Sequence, residues 1–271
     1  HRVQPAVHRP RSRSRRAPAP VQTRAAAVSS TTHEHTEKVY IEDTDAFAIA
    51  YYANYPKWCA RARFAARGSL GGAVVAVQRA KWSAPARLGD TLCISSSVAA
   101  GPEEGLLVVD HTITLAGGSG ATLFSASMLI ARGEVEEKEE RTGELEETPA
   151  PAGVAVHPLP VVCYPDELND GGVVSETALL RWFERGRTES IGGAAGLRAL
   201  QESGVLVVVA LMNDMRVRRD VAGRVGTGEV LEVRSMGELK RRNTTAIFTQ
   251  ELWRPSKGGE AGKQEELLAR A

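Results

Sequence analysis

The chain has 271 residues, 42% hydrophobic and 25% charged, with a formal net charge of +1. These are ordinary values for a globular protein with material for one large core or two small ones. They give no footing for nucleic-acid binding by the molecule as a whole. No apolar run approaches the roughly 18 residues of a membrane span. Cys59, Cys93 and Cys163 lie far apart without a C-x-x-C pair, which suggests neither a disulfide framework nor a zinc site.

The first 33 residues hold Arg2, Arg9, Arg11, Arg13, Arg15, Arg16 and Arg24 but no carboxylate; Glu34 is the first. An Arg-rich, Ala/Pro/Ser-rich, acid-poor N-terminus has the composition of an organelle transit peptide, so 1–34 is expected to be one. A disordered basic tail and a basic arm for nucleic acid are the other readings of the same composition. The abundance of Ala and Pro points to a plastid, with the mitochondrion as the alternative.

A first segment, 35–133, then opens with a short strand at Lys38–Glu42, an acidic turn and a helix over about Tyr51–Arg67. Strands are predicted at Val74–Trp82, Asp90–Ala99, Leu106–Ala116 and Ala121–Ala131. In the third, Val108, Asp110, Thr112 and Thr114 alternate with Val109, His111, Ile113 and Leu115, a period of two that gives one wet face and one buried face. Residues 134–152 carry eight glutamates (Glu134, Glu136, Glu137, Glu139, Glu140, Glu144, Glu146 and Glu147) before Pro149 and Pro151. Like charges repel, so the stretch reads as a solvated linker, an acidic surface helix being the alternative. A second segment, 153–254, repeats the plan: a strand at Val156–Cys163, a polar turn, a helix over about Ser175–Ile191, and strands at Val205–Arg218, Gly226–Ser235 and Asn243–Trp253. Gly192, Gly193 and Gly196 mark the helix end. Residues 255–271 read as a loose polar tail.

Laying the helices together places Trp58 on Trp182, Lys57 on Arg181, Ala62 on Gly186, Arg63 on Arg187, Asp45 on Asn169 and Tyr40 on Tyr164. The constant offset supports duplication of one unit. One helix followed by antiparallel strands is an α+β layout with the helix packed on one sheet face.

The segment Tyr40-Ile41-Glu42-Asp43-Thr44-Asp45, with Tyr51-Tyr52-Ala53-Asn54-Tyr55, Ala60-Arg61-Ala62-Arg63 and Pro85-Ala86-Arg87-Leu88-Gly89-Asp90, resembles the 4-hydroxybenzoyl-CoA thioesterase family of hotdog proteins. The second half resembles the same superfamily through Asp166–Val174 and Arg181-Trp182-Phe183-Glu184-Arg185-Gly186-Arg187, and is similar to plastid acyl-lipid and acyl-ACP thioesterases. The resemblance implies two tandem hotdog domains, each a central helix wrapped by a curved antiparallel sheet, with active sites where the two meet. It implies thioester hydrolysis on acyl-CoA or acyl carrier protein, with water as acceptor, no cofactor and no metal, and further association of chains through their sheets into a homo-oligomer.

The family's catalytic carboxylate maps onto Asp45 and its oxyanion-binding backbone N–H onto Tyr52. A helix-start N–H is unpaired and sits at the positive end of the helix dipole. Aimed at a developing oxyanion, it contributes roughly 3–4 kcal/mol. A carboxylate opposite it attacks the carbonyl or deprotonates water. Two departures stand out. Ala48 occupies the place of a family Gly, beside Phe47. Asn169 stands where the second half needs an Asp; Asn is not a base but can support by hydrogen bonding, and Glu167 and Asp170 are its possible substitutes. The expected arrangement is one working site based on Asp45.

Arg63 and Arg187 are candidates for the substrate's phosphates, with structural ion pairs an equal reading. Arg216, Arg218, Arg219 and Arg224 are candidates for the phosphate end of the pantetheine, against a solvated turn. Trp58 and Trp182 read as packing, and His111 as a packed or surface histidine. No G-x-S-x-G motif is present, which argues against an α/β-hydrolase. Two other readings remain: a hotdog subunit that has lost catalysis and serves as structure or acyl binder, and a dehydratase, which lacks its His in either turn.

Overall fold

The computed structural model describes residues 31–45, 47–66, 72–118, 120–131, 145–169, 172–218, 224–240, 245–256 and 265–271. Among them the chain forms ten strands in one antiparallel sheet and three α-helices. The first half contributes β1 (Thr32–Lys38), α1 (Asn54–Ala65), β2 (Ala73–Trp82), β3 (Thr91–Ala100), β4 (Leu106–Leu115) and β5 (Thr122–Ala131). The second contributes β6 (Val156–Val162), α2 (Glu176–Ser190), α3 (Gly193–Glu202), β7 (Leu211–Val217), β8 (Val230–Lys240), β9 (Thr245–Arg254) and β10 (Glu266–Arg270).

The order across the sheet is β1-β3-β4-β5-β2-β7-β10-β9-β8-β6. Read inward from each end, this is one order written twice, with β1, β3, β4, β5 and β2 answering to β6, β8, β9, β10 and β7. The halves join where β2 pairs with β7, Ala76 opposite Arg216 and Lys81 opposite Leu211. The expected α+β architecture of two helix-on-sheet units is what the chain forms, fused into a continuous sheet.

Each helix is buried by its own half, α1 against β1 and β3, α2 against β6 and β8, and the helices touch each other at the seam. Period-two strands supply the floor: Leu92, Ile94 and Ser96 of β3 and Leu231, Val233 and Ser235 of β8 are all buried. Trp58 and Trp182 are fully buried at matching positions, each contributing on the order of 2–3 kcal/mol by burial. Helix α2 is set by its sequence: the Ser175 hydroxyl caps the Ala178 N–H at 3.1 Å, and Gly192 at φ 96° ends it. Gly186 is needed for close approach to the sheet, since a Cβ there would lie 2.6 Å from Ser235 Oγ and 2.8 Å from Val233 Cγ1.

The structure departs from the sequence reading in four places. The first strand is Thr32–Lys38 and not Lys38–Glu42, where Ile41–Asp43 forms a 3-10 helix; it begins inside the stretch assigned to the transit segment, because His33, His35 and Glu37 alternate inward along an edge strand paired with β3, and residues 1–30 lie outside the described residues. The predicted strand 205–218 is a strand only from Leu211. A second helix, α3, follows the glycines that end α2. Most consequentially, the C-terminal stretch expected to be a loose tail contains β10, with Leu267, Leu268 and Ala269 buried between β7 and β9. This strand supplies the second half's counterpart of β5. Of the acidic linker, residues 134–144 lie outside the described residues, and 145–151 form neither helix nor strand. No helix among the described residues is long and apolar enough to cross a membrane.

Candidate active site at the seam between the halves

The acidic turn after β1 is a tight loop. A 3-10 helix at Ile41–Asp43 leads into it, and a bridge between Thr44 and Ala50 closes its stem. Asp43 is buried: its carboxylate accepts from Lys57 Nζ at 2.7 Å and from the Tyr40 N–H at 3.1 Å. Asp45 is exposed. Its Oδ1 accepts from the backbone N–H groups of Phe47 (2.8 Å) and Ile49 (3.1 Å). Asn169, its counterpart 124 positions on, accepts from the Val173 N–H at 3.1 Å in the same way. A neutral amide oxygen fills this role as well as a carboxylate does, so the loop needs an acceptor there and not a charge. Ala48 sits at φ 57°, in the left-handed region that glycine adopts without strain and alanine does not.

The chain then enters α1 through Tyr51, Tyr52 and Ala53. The Tyr51 N–H donates to Asp43 O, and the Asn54 N–H to Tyr51 O. The N–H groups of Tyr52 and Ala53 donate no hydrogen bond to any described residue. Unpaired donors are expected at a helix start, although regular helix begins two residues after Tyr52; Ala53 is fully buried, which leaves the half-buried Tyr52 as the candidate donor. The Tyr52 carbonyl is fixed by Trp82 Nε1 at 3.1 Å, and its hydroxyl donates to Leu180 O of the second half at 2.9 Å. Burial raises the Tyr52 phenol well above its usual range, so it stays a proton donor.

Two arginines at equivalent positions cross the seam. Arg63 of α1 meets Glu176, the first residue of α2, at 2.5 Å. Arg187 of α2 meets the Tyr52 hydroxyl, at the equivalent place before α1, also at 2.5 Å. Arg187 further donates to Glu184 Oε2 (2.6 Å) and Gln250 Oε1 (2.5 Å). The two ends are therefore not alike. At the start of α2 a half-buried carboxylate, Glu176, already occupies the positive helix end and is paired with Arg63. At the start of α1 the residue is a neutral tyrosine.

An open cleft of about 360 Å³ lies on this second side, lined by Tyr51, Arg181, Glu184, Arg185, Thr188 and Glu189. One wall is therefore the residue whose carbonyl group forms the Tyr52 amide, and the other is a face of α2. Glu184 has no counterpart in the first half, where the equivalent residue is Ala60. Sequence reasoning missed it, because a run of Arg and Glu along a helix face reads as solvated surface.

The remaining candidates are placed as follows. Arg63 is 7% exposed and committed to Glu176, so it does not reach a substrate phosphate. Arg187 is taken up at the seam. Arg216 is exposed and paired with Asp214 at 2.9 Å. The Arg218 N–H donates to Leu268 O. Arg219 and Asp170 lie outside the described residues. The Arg224 carbonyl accepts from Arg254. Glu167 is buried, accepting from Trp182 Nε1 at 2.8 Å and the Tyr164 N–H at 3.0 Å, which makes it the counterpart of Asp43. His111 is buried, with Nδ1 2.8 Å from Ser96 Oγ; burial, then the Arg63 charge, depresses it to about 3. Burial pushes the Cys59 thiol up to about 12, which removes it as a nucleophile.

No family model and no curated protein matches the sequence. Solved structures do match over most of its length. A 12:0-ACP thioesterase from Umbellularia californica superposes with a TM-score of 0.61 at 12% identity, covering 88% of this chain and 92% of that one. An acyl-ACP thioesterase from Bacteroides thetaiotaomicron VPI-5482 gives 0.57 at 9% identity, covering 88% and 95%. The fold is a tandem hotdog. Identities this low speak for the fold alone, and in the tandem hotdog the helix seam just described is where two such units meet.

Proposed function

We propose that the protein is a thioesterase that hydrolyses an acyl-CoA or acyl-ACP thioester to the free acid, at the cleft between the start of α1 and the face of α2. The observation that carries this reading is a carboxylate, Glu184, lining one cleft with Tyr51, whose carbonyl shares a peptide unit with the unpaired Tyr52 N–H. The two thioesterase structures of the same fold support it.

In this reading the thioester carbonyl oxygen lies against the Tyr52 N–H, which stabilises the oxyanion as it forms. Glu184 takes a proton from water, and the water oxygen adds to the carbonyl carbon. Collapse of the tetrahedral intermediate breaks the C–S bond, and the proton held by Glu184 goes to the departing sulfur. Arg187 holds Glu184 through Oε2, leaving Oε1 for water. Asp45, whose Oδ1 ties Phe47 and Ile49, shapes the loop that leads into Tyr51 and Tyr52. Asp45 acting as the base itself is the rival assignment, with its other oxygen as the reactive one. The plastid, entered through the basic N-terminus, is the proposed compartment.

A second reading is an acyl-binding or structural subunit without catalysis. It is favoured by Asn169 and by the loop-holding role that Asp45 shares with it. Thiol release from a panel of acyl-CoA and acyl-ACP thioesters by the purified protein separates the two. Turnover with any member, linear in enzyme, supports hydrolysis; binding without thiol release across the panel supports the scaffold and removes the enzyme.

A further inference from the structure

Lys57 and Arg181 occupy equivalent helix positions, but their charges are disposed of differently. Lys57 is neutralised by Asp43 of its own loop at 2.7 Å. The counterpart of Asp43 is Glu167, and its carboxylate goes elsewhere: to Trp182 Nε1 at 2.8 Å and toward Arg185 at 3.9 Å. Among the described residues Arg181 makes no hydrogen bond and no ion pair, while its charge acts on the Tyr51 phenol. It is half-buried in the wall of the seam cleft. The cleft's other cations are engaged, Arg185 toward Glu167 and, just behind the wall, Arg187 with Glu184 at 2.6 Å.

A guanidinium held half out of water without a counter-ion is a ready partner for a planar or tetrahedral oxyanion group, which it grips through two parallel N–H donors. Building on the hydrolytic reading above, we propose that Arg181 binds an anionic group of the substrate. Two parts of a thioester supply that chemistry: a carboxylate on the acyl group and the phosphate of the thiol carrier. The closeness of Arg181 to Tyr51, next to the amide that receives the carbonyl oxygen, favours the carboxylate, which lies few bonds from the thioester, whereas the phosphate is at the far end of the pantetheine arm.

The test compares wild-type protein with Arg181→Met and Arg181→Lys on four thioesters: a neutral acyl group and an ω-carboxyacyl group of equal length, each on CoA and on phosphate-free pantetheine. Loss of one charge-assisted contact is expected to raise KM about tenfold to a hundredfold for the carboxyacyl pair on either thiol, with the neutral pair unchanged and Lys restoring part of the loss. A loss confined to the two CoA substrates transfers the contact to the phosphate and leaves the anion-binding role standing. An equal fall on all four, or none, overturns it. Activity of the wild-type protein on the neutral substrates keeps the hydrolytic reading intact in either case, so the two claims fail separately.

Discussion

Arg63 and Glu176 face each other across the helix seam with Nη2 and Oε1 2.5 Å apart and side chains only 8% and 12% exposed. Burying this pair is costly in solvation, and the benefit comes only while both partners are present. Arg63→Met is expected to destabilise the fold by about 3–5 kcal/mol, because the largely buried Glu176 loses the guanidinium it faces at 2.5 Å. The double variant Arg63→Met with Glu176→Leu recovers most of that. Urea denaturation of wild type, both single variants and the double variant gives the coupling energy; purely additive losses contradict the pairing.

Ala48 at φ 57° stores strain of roughly 1–2 kcal/mol that glycine does not feel. Part of the gain from Ala48→Gly is offset by the greater freedom of the unfolded chain. The expected net effect is a stabilisation of about 0.5–1 kcal/mol, read as a raised Tm. A lowered Tm contradicts the left-handed assignment.

His111 sits under α1 with a pKa depressed from 6.5 to about 3. Between those values the unfolded chain holds a proton that the folded one does not. Stability from this residue is therefore complete above pH 6.5 and declines as the pH falls through the window, by about 1.4 kcal/mol per unit. His111→Gln copies Gln250, which makes the equivalent contact to Ser235 at 2.8 Å. The variant's stability is expected to fall less steeply than wild type between pH 6 and pH 4, by roughly that slope. Parallel profiles exclude the buried neutral imidazole.

β10 holds the second half together from the chain's far end. Leu268 is 2% exposed, and Leu268→Ala is expected to cost about 2–5 kcal/mol. A cost within about 0.5 kcal/mol, the usual range for a surface substitution, contradicts the strand's place in the core.

Much of this was legible before the structure. The offset of 124 that lays Trp58 on Trp182 carries through the fold, from the buried acids Asp43 and Glu167 to the seam arginines Arg63 and Arg187. Helix α2 was expected over Ser175–Ile191 with the glycines from Gly192 as its stop, and runs Glu176–Ser190. The Tyr52 amide came from the family resemblance and not from the helix boundary, since regular helix begins only at Asn54. β10 did not, because three apolar residues between Glu266 and Arg270 show no period, and their partners come from strands far back in the chain. Glu184 was invisible for a related reason: only the packing of α2 against Tyr51 turns one carboxylate of a charged helix face into a wall of the cleft. The asymmetry between Lys57 and Arg181 likewise depends on where the longer Glu167 side chain reaches, which no spacing rule reports.

The most direct test is kcat for thioester hydrolysis by Glu184→Gln and Asp45→Asn, measured beside wild type on the best substrate. Both substitutions are near-isosteric, and Asn169 shows that the loop accepts an amide at the position of Asp45. Loss of general-base catalysis is expected to lower kcat of Glu184→Gln by about a hundredfold to ten-thousandfold, with Asp45→Asn within about threefold of wild type. Full activity in Glu184→Gln with a collapse in Asp45→Asn contradicts the cross-seam assignment and returns the base to the loop.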